Sequence, residues 1–396
     1  MRSLREIAAV TTLSLRGIPS RPGSSTVVVV GIAGVVSVLI CVFALAVGYT
    51  EAATKTGRPD RVIVLGRGAL AEAGSSLSRE NVQALLDAPG IRQDRNSKPI
   101  ASAESLVLVR RIDRRTGLES FATLRGVGAA AAALRPEIHL VAGRMFKSGL
   151  HEVIVGRSVQ RRLVGLEIGD RFPLAQGANW TIVGVFETQG DSHESELLTD
   201  VETLNSAFQR DYFNSLTLQL DTPASFDAFK AATTSNPTLA VQAKRETVYF
   251  AEAAEPEARM LKFIAYTIGS IMAFGAVAAA LNALYSAIGT RAKEIATLRA
   301  IGYGGYSVLV SVFIEALLLS FAGAALGAWF AWYFFNGSSV STVTDVSSAL
   351  VVYALHMSPG LIALAMGSAC VMGLLGGLFP AIRAATLPVA TVINGR

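Results

Sequence analysis

The 396-residue sequence is poor in cysteine and in charged residues. Its two cysteines, Cys41 and Cys370, both lie in apolar stretches, which excludes a disulfide framework and a cysteine-based metal site. Only 16% of the residues are charged, against about a quarter in an ordinary soluble domain. The deficit is concentrated in four long stretches, whereas the rest of the chain has the composition of a soluble protein.

The sequence also lacks the motifs of the common enzyme classes. It has no G-x-S-x-G, no His/Cys cluster at metal-ligand spacing, and no second histidine to complete H-E-x-x-H after His193. The histidines are therefore interpreted as surface or capping residues, and Asp191, Glu194 and Glu196 as a solvated acidic loop. No G-x-x-x-x-G-K-[ST] loop occurs either. We expect a non-catalytic chain that holds no metal or cofactor, with any ATP and Mg²⁺ chemistry on another polypeptide.

Four apolar stretches are long enough to cross a bilayer. They cover residues 26–48, 263–289, 307–335 and 359–382, and a helix needs roughly 20 apolar residues to cross about 30 Å of hydrocarbon. Each must be helical, because lipid offers the backbone no hydrogen-bond partners. Ala44-Leu45-Ala46 resembles a signal-peptide cleavage site, but an uncleaved anchor is favoured because the stretch is long and follows 25 residues.

The placement of lysine and arginine predicts the orientation, since basic residues flank the cytoplasmic side of membrane helices. The 336–358 segment has neither residue type, so it and the long 49–262 segment are predicted to face outward. The cytoplasmic side would hold the 1–25 segment, the 290–306 loop and the 383–396 tail. Their basic residues are Arg2, Arg5, Arg16, Arg21, Arg291, Lys293, Arg299, Arg383 and Arg396. This placement accounts for the net charge of +5 without nucleic acid as a partner.

The predicted fold is an integral membrane α-helical protein with four transmembrane helices and an α+β extracytoplasmic domain, in two lobes, between helices 1 and 2. Strands of this domain are predicted at 61–65, 106–110, 121–125, 152–156, 180–186, 216–220 and 239–243, and helices at 79–87, 158–163, 201–208 and 224–233. A hairpin turn is predicted at Gln176-Gly177-Ala178-Asn179. The polar 246–262 segment would form a helical stalk, with Pro256 as its kink or its start.

Two features of the apolar stretches are candidates for function. Small residues at four-residue spacing allow helix backbones to approach closely, either within the chain or against a second subunit. They are Gly275, Ala279, Ala283, Gly323, Gly327, Gly373 and Gly377. Glu315 is an intramembrane acid, and its position near the cytoplasmic end favours an anchoring role over a proton relay.

The 290–306 loop carries the most informative pattern. Ile295, Leu298 and Ile301 recur every three residues along a predicted helix at 291–301 that ends at Gly302. Such a helix lies along the inner membrane surface or enters the groove of a partner, and the pattern alone leaves both open.

The same region carries a family resemblance. The pattern R-x-K-E-I-x-T-L-R-A-I-G at 291–302, followed by E-A-L-L-L at 315–319 and by G-x-x-x-G at 323–327, resembles the FtsX-like permease domain of ABC transporters. The tail GLFPAIRAA with Leu387-Pro388-Val389, and LREI near the N-terminus as an amphipathic helix, are similar to the ends of that family. One span, a large outer domain and three further spans are the topology of its macrolide-exporter, MacB-like branch.

This resemblance implies a permease subunit of a bacterial inner membrane, with the large domain in the periplasm, that pairs with an identical or related second permease subunit. Its 290–306 loop would carry a coupling helix that docks on an ABC ATPase subunit, present in two copies. The ATPase is expected on a separate chain, because MacB-like exporters carry theirs before the first span, where this sequence has 25 residues. The coupling residues would be Arg291, Lys293, Glu294, Ile295, Thr297, Leu298, Arg299, Ile301 and Gly302, with Glu294 and Arg299 as polar contacts.

The function implied is ATP-driven movement of the outer domain, called mechanotransmission, that exports or extracts an envelope substrate. A periplasmic adaptor protein and membrane lipid would be further partners. An FtsX-type subunit that regulates an envelope hydrolase without transport, and a membrane-anchored receptor, remain as alternatives. The missing catalytic motifs argue against an anchored enzyme, and the glycines and charges of the 290–306 loop argue against a passive anchor.

Overall fold

The computed structural model describes residues 6–7, 10–13, 22–174, 177–188, 190–236, 239–343 and 350–386. The chain divides into two compact units. The membrane unit contains residues up to 46, 260–338 and those from 355 onward, and the outer unit contains residues 47–259 and 339–354. Most of the predicted N-terminal helix and of the cytoplasmic tail, including Leu387-Pro388-Val389, lies outside the described residues; residues 6–7 and 10–13 are helical.

Within the described residues, four helices are long and apolar enough to cross a membrane. They are Pro22–Thr56, Glu246–Thr290, Gly305–Phe335 and Pro359–Thr386, and each contains one of the predicted apolar stretches. The predicted stalk segment is helical, and Pro256 lies inside its helix rather than at the start. At the C-terminal end of Gly305–Phe335, the exposed rings of Trp329, Trp332 and Tyr333 are typical of a membrane–water interface.

The outer unit is built from fourteen described strands and several short helices. In chain order the strands are β1 (Arg61–Gly66), β2 (Leu77–Ser78), β3 (Ala101–Ile112), β4 (Glu119–Val127), β5 (His139–Gly143), β6 (Glu152–Gly156), β7 (Arg171–Pro173), β8 (Asn179–Glu187), β9 (Glu196–Asp200), β10 (Tyr212–Phe213), β11 (Ser215–Gln219), β12 (Val241–Arg245), β13 (Ser339–Val343) and β14 (Leu350–Ala354). The short α-helices are Arg79–Leu86, Ala131–Leu134, Arg157–Arg162, Val201–Phe208 and Phe226–Thr234. All seven predicted strands and all four predicted helices of this domain are confirmed, with ends shifted by a few residues.

Ten of these strands form one sheet in the order β12-β1-β11-β3-β4-β9-β6-β8-β5, with β7 paired to β8. The long strand β3 joins its two halves, because its first residues pair with β11 and the rest pair with β4. Each half packs its own hydrophobic cluster, one around Phe213 and Phe229 and one around Trp180 and Phe172. The two lobes expected from the sequence therefore share a single sheet.

The 336–358 segment contains a hairpin that the sequence pattern did not predict. Strands β13 and β14 pair antiparallel, and both belong to the outer unit. The backbone N–H of Val352 donates to the Ser195 hydroxyl at 2.9 Å, and Val352 packs into the cluster around Trp180. Contacts between residues 157 positions apart leave no trace in local periodicity, so this docking could not be read from the sequence.

Candidate functional site

The 290–306 loop of the membrane unit forms the predicted short helix, with bounds Ala292–Ala300. The helix ends at Gly302, whose φ of +106° lies in the left-handed region that favours glycine. The N–H of Gly302 donates to the Arg299 carbonyl, and that of Tyr303 to the Leu298 carbonyl, both at 3.1 Å. These two bonds satisfy carbonyls of the last turn and stop the helix within three turns.

The residues of the apolar stripe of this helix differ in burial. Ile295 is buried in a cluster with Ile288 and Val308 of the spanning helices, whereas Leu298 is half-buried and Ile301 is 71% exposed. One end of the stripe therefore packs against the spanning helices, and the other end is exposed. The exposed residues of the loop are Thr290, Lys293, Glu294, Thr297, Ala300, Ile301, Gly302, Gly304 and Tyr306.

Glu315 lies at the base of the same helix. Its Oε2 is 3.3 Å from Nη1 of Arg291, the residue just before Ala292–Ala300, and both side chains are nearly buried. Arg291 also lies 3.4 Å from the exposed carboxylate of Glu294. A buried ion pair that loses one partner leaves an uncompensated charge, so this pair fixes the start of the helix to Gly305–Phe335.

The small residues predicted to pack helices differ in what they contact. A side chain on Gly327 would lie 2.4 Å from the Ala33 carbonyl, and one on Gly323 would lie 2.7 Å from the Val29 carbonyl, so both pack against Pro22–Thr56. Gly373 and Gly377 pack in the same way against Ser320 and Ala316 of Gly305–Phe335. Ala283 is buried and Ala279 is half-buried, whereas a side chain on Gly275 would meet no described atom within 4 Å.

We expect Gly327→Leu to lower the free energy of unfolding of the membrane unit by about 1–3 kcal/mol, because the new side chain meets backbone that cannot move aside. Thermal unfolding of the purified chain in detergent measures this effect. Gly367→Leu is the matched control, since a side chain there has no described atom within 4 Å. Equal unfolding temperatures for the two variants would contradict the close packing at Gly327.

The outer unit contains a group of buried charges, here called the charge cluster: Glu72, Glu104, Arg125, Arg135 and Glu196. Arg125 on β4 is at its centre. The Arg125 guanidinium donates to Glu72 and Glu104 through Nη1 and to both oxygens of Glu196 through Nε and Nη2, each at 2.8 Å. Arg135 forms a two-pronged pair with Glu104. The cluster thus holds three carboxylates and two guanidinium groups in the interior of the domain.

The guanidinium groups keep the cluster ionised. Burial opposes ionisation of Glu104, but the charges of Arg135 and Arg125 outweigh it and lower the pKa of Glu104 to about 2. Burial likewise opposes ionisation of Glu196, yet Arg125 and His193 lower its pKa well below the ordinary range. At Asp191, further from the guanidinium groups, burial prevails and raises the pKa.

The predicted solvated acidic loop is wrong. Asp191, His193 and Glu194 are buried, and Asp191 caps the 3₁₀ turn Ser192–Ser195 by accepting from the backbone N–H of His193. His193 Nδ1 bonds to Glu196 at 2.9 Å, and the Glu194 carboxylate accepts from two backbone N–H groups and from Ser158. The loop is buried because each acid has a local donor, which a composition-based interpretation does not count.

Another buried arginine joins the ends of two long helices to the sheet. Arg61, on β1, is 1% exposed. Its Nη2 donates to the carbonyl of Thr56, the last residue of Pro22–Thr56, at 3.1 Å. Its Nε donates to Glu246, the first residue of Glu246–Thr290, at 2.5 Å, and its Nη1 donates to Glu137 at 2.5 Å. Both helix ends are therefore tied to one guanidinium.

The sequence analysis missed Arg61 and the charge cluster. The available signal was a charged residue inside an apolar β run, as in RVIVLG of β1 and ATLRGV of β4. Such charges normally face water, and the pairing of β4 with β3 and β9 is what brings Glu104 and Glu196 to Arg125. Within the described residues no group of three or more His, Cys, Asp or Glu is placed to hold a metal ion.

One part of the chain matches a known protein family model. Residues 266–389 match the family model described as FtsX-like permease C-terminal. A search of curated proteins finds no match.

Two solved structures are similar to about half of the chain. One is the extracellular domain of the noncanonic ABC-type transporter YknZ from Gram-positive bacteria, at 16% identity, covering 46% of this chain and 99% of that chain with a TM-score of 0.35. The other is the periplasmic region of MacB from Actinobacillus actinomycetemcomitans, at 14% identity, covering 48% and 90% with a TM-score of 0.37. At these TM-scores the likeness carries no further argument.

The family match includes the 290–306 loop, Glu315 and the packing positions from Gly275 to Gly377. It confirms the resemblance found in the sequence: the segment 266–389 is of the FtsX-like permease C-terminal type.

Proposed function

We propose that this chain is the permease subunit of an ABC transporter, in which a separate ATPase subunit moves the outer domain to export or extract an envelope substrate. The FtsX-like type of residues 266–389 supports a permease subunit. The observation that carries the proposal is the divided surface of Ala292–Ala300: Ile295 is buried against the spanning helices, whereas Lys293, Glu294 and Ile301 are exposed. A helix that is packed on one side and exposed on the other is suited to the docking of a partner.

The contacts of the helix give a path for force. A push on the exposed side passes to Gly305–Phe335 through the Arg291–Glu315 pair and through Ile295, which packs on Val308 and Val312. These contacts are buried and short, so the helix moves with the spanning helices rather than sliding over them. Closure of an ATPase pair would then bias the permease between two conformations.

A second permease subunit completes the proposed assembly. Gly275 presents open backbone on Glu246–Thr290, next to the exposed side chains of Ile271 and Phe274. Small residues flanked by large apolar ones allow two membrane helices to pack closely. This surface favours the pairing of permease subunits over an isolated anchor or receptor.

We expect Ile301→Asp to reduce retention of the ATPase subunit on the purified permease by roughly 30-fold, the effect of losing about 2 kcal/mol at an interface centre. A carboxylate there loses hydration on docking, and Ile301 is exposed enough for the fold to remain intact. Glu294→Lys, and Leu298→Asp with some added loss of packing, should act in the same direction. Co-purification and ATP-dependent activity are the measurements.

Leu70→Asp is the matched control, because Leu70 is a 90% exposed leucine of the outer unit and lies far along the chain from the loop. It should retain the ATPase fully. An Ile301→Asp permease that kept both the ATPase subunit and full ATP-dependent activity would rule out Ala292–Ala300 as the coupling helix.

A further inference from the structure

The outer unit encloses an apolar chamber beside the charge cluster. The chamber has a volume of about 200 Å³, and nine of its twelve lining residues are apolar, among them Ile154, Phe186 and Leu198. Its wall towards solvent includes Leu140 of the edge strand β5 and Met145, which are 42% and 40% exposed. The lining is therefore mostly apolar, and part of it lies at the surface of the domain.

Three charged or titratable residues also line the chamber: Arg125, Arg135 and His193. Two of them carry buried polar atoms without a partner among the described residues, namely Nε of Arg135 and Nε2 of His193. Arg135 is 3% exposed and His193 is 2% exposed. Buried polar groups without partners are rare and weaken a folded domain, so two of them beside one chamber need an explanation.

The hydrogen-bonding character of these two atoms is complementary. Nε of an arginine always carries a proton, so Arg135 offers a donor. Glu196 is held ionised by Arg125 and can only accept, so the Nδ1 of His193 bonded to it carries the ring proton. Nε2 accepts a hydrogen bond in the neutral form of the ring and donates one in the charged form, and a hydroxyl group, which both donates and accepts, suits the pair in either form.

We propose that this chamber is a binding site for a small neutral molecule that combines an apolar body with one hydroxyl group. The volume accommodates roughly six or seven non-hydrogen atoms, taking about 30 Å³ for each. A carboxylate-bearing ligand fits less well, because it would add a fourth negative charge beside Glu72, Glu104 and Glu196 and only two guanidinium groups balance them.

A ligand bound at this site would affect the ends of the two long helices. The turn that carries His193 also contacts Pro22–Thr56, since the Ser192 N–H donates to the Thr56 hydroxyl at 2.9 Å. The His193 ring meets the ring of Phe250, in Glu246–Thr290, edge to face at 5.8 Å. A ligand bonded to His193 therefore stabilises the turn on which both helices rest. The site itself does not depend on the proposed transport function.

Photolabelling of the full-length protein in nanodiscs tests the site. The two probes are a four-carbon alcohol carrying a diazirine and the same diazirine hydrocarbon without the hydroxyl group. We expect the alcohol to label peptides spanning residues 127–154 and 186–198 at least tenfold more than the hydrocarbon does. Labelling of the spanning helices is the reference for each probe, because the hydrocarbon partitions into lipid more strongly than the alcohol does. Equal labelling of the chamber peptides by both probes, or no labelling there, would overturn the proposal.

Two variants of one short helix complete the test. Ala131→Leu fills part of the chamber and should lose the alcohol-specific labelling at least tenfold, whereas Ala133→Leu, on the exposed side of Ala131–Leu134, should keep it. His193→Phe should remove the preference for the alcohol over the hydrocarbon. Unchanged labelling of a folded Ala131→Leu chain would refute the site, and if that variant fails to fold, the two-probe comparison on the unaltered chain decides.

Discussion

Replacing Arg125 by methionine is expected to lower the free energy of unfolding of the outer domain by at least 3–5 kcal/mol, roughly the cost of removing one partner of a buried ion pair. Arg125 is the only direct cationic partner of Glu72 and Glu196 among the described residues of the cluster. Without it, Glu104 keeps Arg135, but two further carboxylates remain buried with no compensating guanidinium. A loss of this size approaches the whole stability of many domains.

Denaturant unfolding of the full-length protein, followed by the fluorescence of the buried Trp180, measures this loss. Arg79→Met is the matched control, because Arg79 also makes a two-pronged pair, with Glu202, but both side chains are about half exposed. An exposed pair contributes about 1 kcal/mol or less. If the two variants lost the same stability, the charge cluster would not be the electrostatic centre of the domain.

The sequence predicted the strands and the spanning helices because both depend on local patterns. The alternation of β8 and the uninterrupted apolar run of Pro22–Thr56 are visible within windows of 10 to 20 residues. The edge strand β5 was not predicted, since all of its residues are exposed and it shows no apolar alternation. The hairpin of β13 and β14 was not predicted because its docking on the turn at Ser195 joins residues far apart in the chain and leaves no local pattern.

The coupling loop and the charge cluster differ in how much of each could be predicted from the sequence. The loop is one contiguous segment, so its helix and its glycine end could be predicted from 291–302, and its family type from that segment together with 315–327 and the chain ends. The pattern did not predict that Ile301 follows the last helical turn and is exposed, whereas Ile295 is buried against the spanning helices. The cluster assembles Glu72, Arg125 and Glu196 from distant parts of the chain, and no local spacing encodes their meeting.

Replacing Arg61 by methionine is the second change with a large expected effect. The Arg61 guanidinium compensates Glu246, which is 1% exposed, and Glu137, which is 14% exposed, and it binds the Thr56 carbonyl as well. Removing it should cost about 3–5 kcal/mol of outer-domain stability, because both carboxylates lose their closest cation. Arg58, 3.6 Å from Glu137 and half exposed, replaces only part of that compensation.

The same arginine allows stability to be separated from transmission of movement. Buried ion pairs replaced by apolar residues of similar size are often neutral or stabilising, so Arg61→Met combined with Glu137→Leu and Glu246→Leu should regain most of the lost stability. That triple variant still lacks the bonds that tie Thr56 and residue 246 to β1. If Arg61 passes the movement of the long helices to the sheet, the ATP-dependent distance change between spin labels on the outer domain should stay lost in the triple variant. A stable triple variant that moved normally would mean that Arg61 serves stability alone and that the movement reaches the sheet through other contacts.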